Sequence, residues 1–358
     1  MRRTVFFDPV CPRPYDTRTL RNEALGGSEA CLAQIADALD AFVVQHNRTG
    51  NFDRYRAPTV QPGIEQVVVN RDARALPAVR ALYPNARIVL WLHDRVEPRS
   101  KRARWLASTA KVLCAADARI VCVSDYQRAG VEATLRSIGV GGNVRATTIY
   151  NPVDDELAPD DSAVDPDTLI FFSSPNKGLG FALDAFRACR RQIPQLRLLV
   201  ANPGYRAQGR IDIDGVKDLG ALPRHRLHAQ VRGALATFAP NIRIPETFGL
   251  VFAESLALGT PVLTHDCGAA MEVIGDPQQV LPVSSAVRAY EGMLGPFAPR
   301  WRRRPALAAA RWGLFEPYVE RLCAWRTGAR PHVQADPRFH LSRVAARWRA
   351  LLSGAQSE

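Results

Sequence analysis

Short apolar runs alternate with helix-length amphipathic stretches along most of the chain. In the first half the runs at residues 4–7, 42–45, 66–70, 88–92, 120–124 and 147–150 read as buried strands. The stretches between them carry helical spacing. Cys31, Ile35, Ala38, Leu39 and Phe42 recur at a period of about 3.6, and Ser28 stands where an N-cap belongs. Strands that alternate with helices form parallel sheets covered on both faces, so the fold expected is doubly wound α/β.

At Asn151-Pro152-Val153-Asp154 the pattern breaks, and residues 151–167, rich in Asp and Pro, read as a linker. The alternation then restarts, with strands at 169–172, 196–201, 235–239 and 261–264 and helices at 179–192, 224–232 and 248–258. A length of 358 residues also suggests two domains at about 150 residues each. We place them at 1–150 and 151–337. Residues 283–310 are irregular and basic, including Arg300-Trp301-Arg302-Arg303-Arg304. A last helix, 340–353, puts Leu341, Val344, Ala345, Trp348, Leu351 and Leu352 on one face and must dock that face.

Composition excludes several classes. With 47% hydrophobic and 23% charged residues the chain is not disordered. It has no run of about 18 uncharged apolar residues, the length a spanning helix needs. The apolar run after Met1-Arg2-Arg3 is too short for a signal-peptide core. Seven cysteines with no C-x-x-C pair suggest free thiols in a reducing compartment and no structural zinc. A cytoplasmic location is therefore expected. The charge is 47 − 35 = +12, nearly all of it from Arg. Such a surface favours anionic partners: phosphates, nucleic acid or the inner face of a membrane.

Ligands in open parallel sheets bind beyond the carboxyl ends of strands. Four segments there carry chemistry. Gly26-Gly27-Ser28-Glu29 opens a helix, and its amides suit a phosphate or simply a tight turn. His93-Asp94 ends a strand, where the imidazole can bind a sugar hydroxyl, act as a base, or sit satisfied in a turn. Ser173-Ser174-Pro175-Asn176-Lys177-Gly178-Leu179 gathers hydroxyls, a lysine and helix amides into a diphosphate cradle, without the spacing of a Walker loop. In Pro245-Glu246-Thr247-Phe248-Gly249-Leu250-Val251-Phe252-Ala253-Glu254, Glu254 lies on an apolar helix face. A carboxylate there needs a partner: sugar hydroxyls, an internal arginine or another helix cap.

Glu246 and Glu254 form the E-x7-E pattern of retaining GT-B glycosyltransferases of the family-four group, and the chain resembles that family over nearly its whole length. Gly26 to Glu29 is similar to the family's glycine loop, His93 to its active-site histidine, and Ser124 with Arg128 to its S-x-x-x-R segment. Asn151 to Asp154 resembles its hinge, Lys177-Gly178-Leu179 its phosphate-binding segment, and His265 to Glu272 the segment closing the donor site. The resemblance implies two Rossmann-like domains facing a cleft, with the last helix packed back on the first. It implies that Glu254 holds the ribose and that Glu246, with the backbone at Phe248, Gly249 and Leu250, holds the transferred sugar and phosphate. Lys177 would neutralise the diphosphate, Ser173 and Gly27 would line it, and His93 would contact the sugar. No metal or other cofactor is implied; the nucleotide-sugar is a co-substrate. The family's arginine before the phosphate lysine is missing, since Phe171-Phe172-Ser173-Ser174 stand there, and hydroxyls or Arg243 would have to replace it. Ala269-Ala270 also replaces a more usual glycine context.

The activity implied is metal-independent hexosyl transfer to a glycan or lipid-linked acceptor with retention. A related phosphorylase or epimerase, or a non-catalytic basic scaffold that binds nucleic acid, are the alternatives. Arg95, Arg99, Lys101, Arg102 and Arg104 lie beside His93 and suit an anionic acceptor, a phospholipid surface or, less well, DNA.

Overall fold

A computed structural model describes residues 3–23, 25–202, 211–293 and 313–354. The basic run Arg300–Arg304 lies outside them. The chain divides into two compact units. The first draws on Met1–Arg21, Gly26–Asp155 and Pro337–Glu358, and the second on Asn22–Leu25 and Glu156–Asp336.

The first unit holds a seven-stranded sheet: β1 (Thr4–Asp8), β2 (Phe42–Gln45), β3 (Tyr55–Arg56), β4 (Gln66–Asn70), β5 (Arg87–Leu92), β6 (Arg119–Cys122) and β7 (Arg145–Thr148). All neighbours pair parallel, in the order β3-β2-β1-β4-β5-β6-β7. The strand period of two sorts the side chains. Val5, Phe7, Val67, Val69, Ile88, Leu90, Leu92, Ile120 and Cys122 share one core. Phe6 and Trp91 are also buried, and both meet Trp348 of the terminal helix Leu341–Ser353, with ring centroids 5.8 and 4.9 Å away. That helix also packs against the helix Gly27–Ala38, so its apolar face is docked within the first unit.

The second unit repeats the plan with β8 (Asp165–Phe171), β9 (Arg197–Ala201), β10 (Val216–Gly220), β11 (Ala234–Phe238), β12 (Val262–His265) and β13 (Val280–Leu281). Their order, β10-β9-β8-β11-β12-β13, is again parallel throughout. Leu169 and Phe171 enter one core, and Ile170 and Phe172 a second, as alternation requires. Both units are thus Rossmann-like and the class is α/β.

Several local expectations need correction. Ser28 is no N-cap: Gly26 is, and Ser28 lies in the first turn, where its hydroxyl donates to Glu29 Oε2 at 2.9 Å. The linker read over 151–167 stops short of β8, which begins at Asp165 despite its Asp-Pro-Asp start. The helix read from 248 begins at Leu250, because Gly249 is in a left-handed conformation (φ 90°) that an α-helix excludes. Strands β3 and β13, of two residues each, are too short to be read as strands, and β10 carries too few apolar residues.

Candidate functional site

In the second unit β8 and β11 are parallel neighbours, and strand order reverses between them. The chain leaving each strand therefore emerges at the same sheet edge, at the switch point where ligands collect in such folds. Lys177 comes from the segment after β8 and Glu246 from the segment after β11. Lys177 Nζ donates to Glu246 Oε2 at 2.8 Å. The turn before the lysine is fixed locally. Its amide donates to the Ser174 carbonyl at 2.8 Å, and the Ser174 hydroxyl donates to Asn176 Oδ1. Ser173 is buried at the end of β8.

Glu246 is held by its backbone as well. It forms a parallel bridge to Gly268, and the Ala269 amide donates to its carbonyl at 2.9 Å. Gly268 has φ 76°, and a Cβ there would stand 2.3 Å from the Glu246 carbonyl oxygen. Only glycine allows this approach. Upstream, Asn241 accepts from the amides of Arg243 and Ile244 and donates to the Ile244 carbonyl, which closes the loop that carries Glu246. Arg243 on that loop is exposed.

Phe248 is buried beneath the next turn, and Gly249 caps the helix Leu250–Ala257. The first amides of a helix have no intrahelical acceptor and carry its positive dipole end. Glu254 lies one turn further, beside the buried Phe252, Ala253, Leu256 and Ala257. Of the partners left open for it, the structure supplies the internal arginine: Arg224 Nη2 donates to Glu254 Oε1 at 2.7 Å. In the second unit Lys177 is thus paired with Glu246, and Gly249, Leu250 and Glu254 follow Glu246 along the chain, whereas His93 and Gly27 belong to the first.

In the first unit His93 follows β5, half-buried, with its ring centroid 4.5 Å from that of Trp91. Burial, reinforced by the Arg71 guanidinium, pushes its pKa down to about 3, so it is neutral at physiological pH. Gly27 is the exposed first residue of its helix. Sequence reading missed the residue that ties this edge together. Arg71, directly after β4 with φ 62°, lies 3.6 Å from Glu29 and 3.3 Å from both Asp94 and the Ser28 hydroxyl. Burial alone would raise the Asp94 carboxyl, but Arg71 and Arg102 outweigh it and hold the group below the ordinary carboxylate range. Asp8, at the end of β1, is fully buried and raised by that burial, although Tyr15 donates to it at 2.8 Å. A non-glycine residue with positive φ at a strand end was the available signal for Arg71 only once the strand was placed.

The basic cluster beside His93 is partly committed. Arg95 pairs with Glu97 and Arg102 with Asp94, while Arg74 and Lys101 stand over the Trp105 ring at 4.1 and 5.3 Å. Ser124 is the N-cap of the helix Asp125–Ser137, accepting from the Gln127 amide, and Arg128 pairs with Asp125. Among the described residues no group of three His, Cys, Asp or Glu side chains is arranged to hold a metal ion, and no helix is long and apolar enough to cross a membrane. All seven cysteines are free.

Residues 162–289, which contain Lys177, Glu246 and Glu254, match the family Glycosyl transferases group 1. Over 109 residues the chain is 32% identical to the phosphatidyl-myo-inositol mannosyltransferase of Mycobacterium leprae, covering 29% of each protein. Over 231 residues it is 24% identical to the lipopolysaccharide 1,2-N-acetylglucosaminetransferase of Salmonella typhimurium, covering 59% of this chain and 57% of that protein. The matched region thus spans less than two thirds of either relative. Among solved structures, Anabaena Alr3699/HepE in complex with UDP-glucose superposes with a TM-score of 0.63 at 16% identity, over 98% of this chain and 99% of that one. Sucrose-phosphate synthase from Thermosynechococcus elongatus gives 0.61 at 18% identity, over 99% and 100%. The fold is therefore that of GT-B glycosyltransferases.

Proposed function

We propose that this chain is a retaining, metal-independent glycosyltransferase that moves a hexose from a nucleotide-sugar to a glycan or lipid-linked acceptor. The observation that carries the reading is the Lys177–Glu246 pair at the switch point, next to the helix start at Gly249 and Leu250, with Glu254 one turn on. The matched family segment and the UDP-glucose held by a protein of like fold support it.

In this reading the diphosphate lies over the amides of Gly249 and Leu250 and takes the ammonium of Lys177, with exposed Arg243 as second cation. The main catalytic contribution is electrostatic stabilisation of the leaving diphosphate, which fixed cations and helix amides provide without a bound metal. Glu246, released from Lys177 as the phosphate arrives, accepts from hydroxyls of the transferred sugar. Glu254 accepts from the ribose. His93, neutral, hydrogen-bonds a sugar hydroxyl. The bond from the anomeric carbon to the phosphate oxygen breaks and the bond to the acceptor oxygen forms on the same face. The acceptor proton passes to the departing phosphate oxygen. The basic cluster around Lys101 and Arg104 favours an anionic acceptor or contact with an anionic membrane surface.

The test is a thermal-shift screen of UDP-, GDP-, ADP- and CDP-sugars in EDTA, because a ligand selective for the native state raises its melting temperature. A shift with one nucleotide class that Glu254→Ala abolishes is expected. No shift with any donor at millimolar concentration would overturn the reading.

A further inference from the structure

Glu254 stands on a helix whose other residues, Ser255 apart, are apolar and largely buried. Such a group keeps one orientation when a partner holds it. That partner is thirty positions earlier in the chain. Arg224 opens the helix Arg224–Arg232, and its Nη2 reaches Glu254 Oε1 at 2.7 Å, with the two side chains only 25% and 17% exposed. The contact uses one carboxylate oxygen. Oε2 accepts from no side chain or amide among the described residues. An arginine fork can engage both oxygens of a carboxylate, so this single contact leaves half the acceptor capacity open on a group whose orientation is already fixed.

We propose that Arg224 is a positioning residue for nucleoside recognition: it holds the Glu254 carboxylate turned so that Oε2 accepts from the vicinal hydroxyls of a ribose. The inference rests on the donor reading of Glu254 given above. It assigns to Arg224 a part in choosing ribonucleotides over deoxyribonucleotides. Arg224 acts through the carboxylate and does not touch the ligand.

The experiment measures, by titration calorimetry, the affinity of the full chain for UDP, GDP and ADP and for their 2′,3′-dideoxy counterparts. The proteins are wild type, Glu254→Gln, Arg224→Gln and Arg224→Lys. Wild type is expected to prefer one ribonucleoside diphosphate over its dideoxy form by about tenfold or more, the worth of hydrogen bonds to an ionised group. Arg224→Gln should lose most of that preference while the dideoxy affinity stays within about twofold, and Arg224→Lys, which restores a cation, should recover part of it. If Arg224→Gln does not fold, the Lys variant alone decides, by a partial loss of preference at unchanged dideoxy affinity. A preference that Glu254→Gln abolishes but both Arg224 variants retain overturns the inference and leaves the donor reading standing. Affinities for both forms falling together in the Arg224 variants also overturn it, because the arginine would then bind diphosphate or base directly. Wild type that binds ribo and dideoxy forms alike, or binds neither, overturns the Glu254 assignment and this inference with it.

Discussion

Lys177 and Glu246 are 69 positions apart in sequence, yet Nζ and Oε2 stand 2.8 Å from each other at the switch point of the second sheet. The pair is self-neutralising as it stands. An anionic ligand that takes the ammonium must free the carboxylate, which then needs donors of its own. A sugar phosphate brings both, phosphate oxygens for the lysine and hydroxyls for the glutamate. Lys177→Ala should therefore weaken donor binding by about 1–3 kcal/mol, roughly five- to 150-fold. The lysine is one-third exposed, so the melting temperature should move little. Calorimetric titration beside a thermal melt separates the two effects.

Gly268→Ala should act on the same carboxylate from behind. The new Cβ would meet Glu246 backbone atoms at 2.3, 2.7 and 3.1 Å and would sit at positive φ, so the clamp on Glu246 must open. A loss of about 1–3 kcal/mol in urea unfolding is expected, together with weaker donor binding. Unchanged stability would mean that this bridge does not hold Glu246 in solution.

Two histidines should make the fold acid-sensitive. Burial pushes His265 down to about 4 and His93 to about 3, from an ordinary value of 6.5. Both groups are neutral when folded and take up protons more readily when unfolded. Their contribution to stability is therefore complete above pH 6.5 and is lost as pH falls toward the folded values. Each histidine should add a slope of about 1.4 kcal/mol per pH unit within that window. His265, which shares a hydrogen bond with Tyr318 at 2.7 Å, can be tested alone. His265→Gln should flatten the stability–pH curve between pH 6 and 4.5, as read by denaturant titration at each pH.

His93 makes a separate prediction about turnover. A group that titrates near 3 produces no inflection between pH 6 and 8. The profile of kcat/KM should show no step there that His93→Gln removes. A step near pH 6.5 abolished by that substitution would show that the imidazole titrates near its ordinary value.

Much of this was legible in the sequence, and the reason differs by element. Strands β2 and β4 match the reading residue for residue, because a strand covered on both faces is an uninterrupted apolar run. The helices Leu179–Gln192 and Arg224–Arg232 were bounded correctly by periodicity and flanking breakers. Edge strand β10 was not legible, because its residues Val216-Lys217-Asp218-Leu219-Gly220 are mostly exposed and carry no such run. At the candidate site the individual groups could be named but not their pairing. That Lys177 meets Glu246 depends on β8 lying next to β11, and that Arg224 meets Glu254 depends on how two helices face each other. Neither adjacency is written in local spacing. Arg71 escaped for the same cause: it acquires meaning only when β1, the helix Gly27–Ala38 and the turn after β5 bring Asp8, Glu29 and Asp94 around it.

The aromatic contact of Trp348 with Phe6 and Trp91 offers a direct check on the terminal helix. Trp348→Ala should cost about 3–5 kcal/mol, as for other buried large-to-small changes. The loss should appear in the transition of the first unit in a calorimetric scan.

The same contact fixes an order of events during synthesis. Phe6 is made well before Trp348, and the whole second unit is encoded between them. A nascent chain can therefore complete the second sheet while the first still lacks the helix that covers Phe6 and Trp91. Until the terminal helix leaves the ribosome, that aromatic surface faces water, exposed to association with other chains or to capture by a chaperone. A fault in the helix Leu341–Ser353 would thus be felt first at Phe6 and Trp91, in strands made long before it.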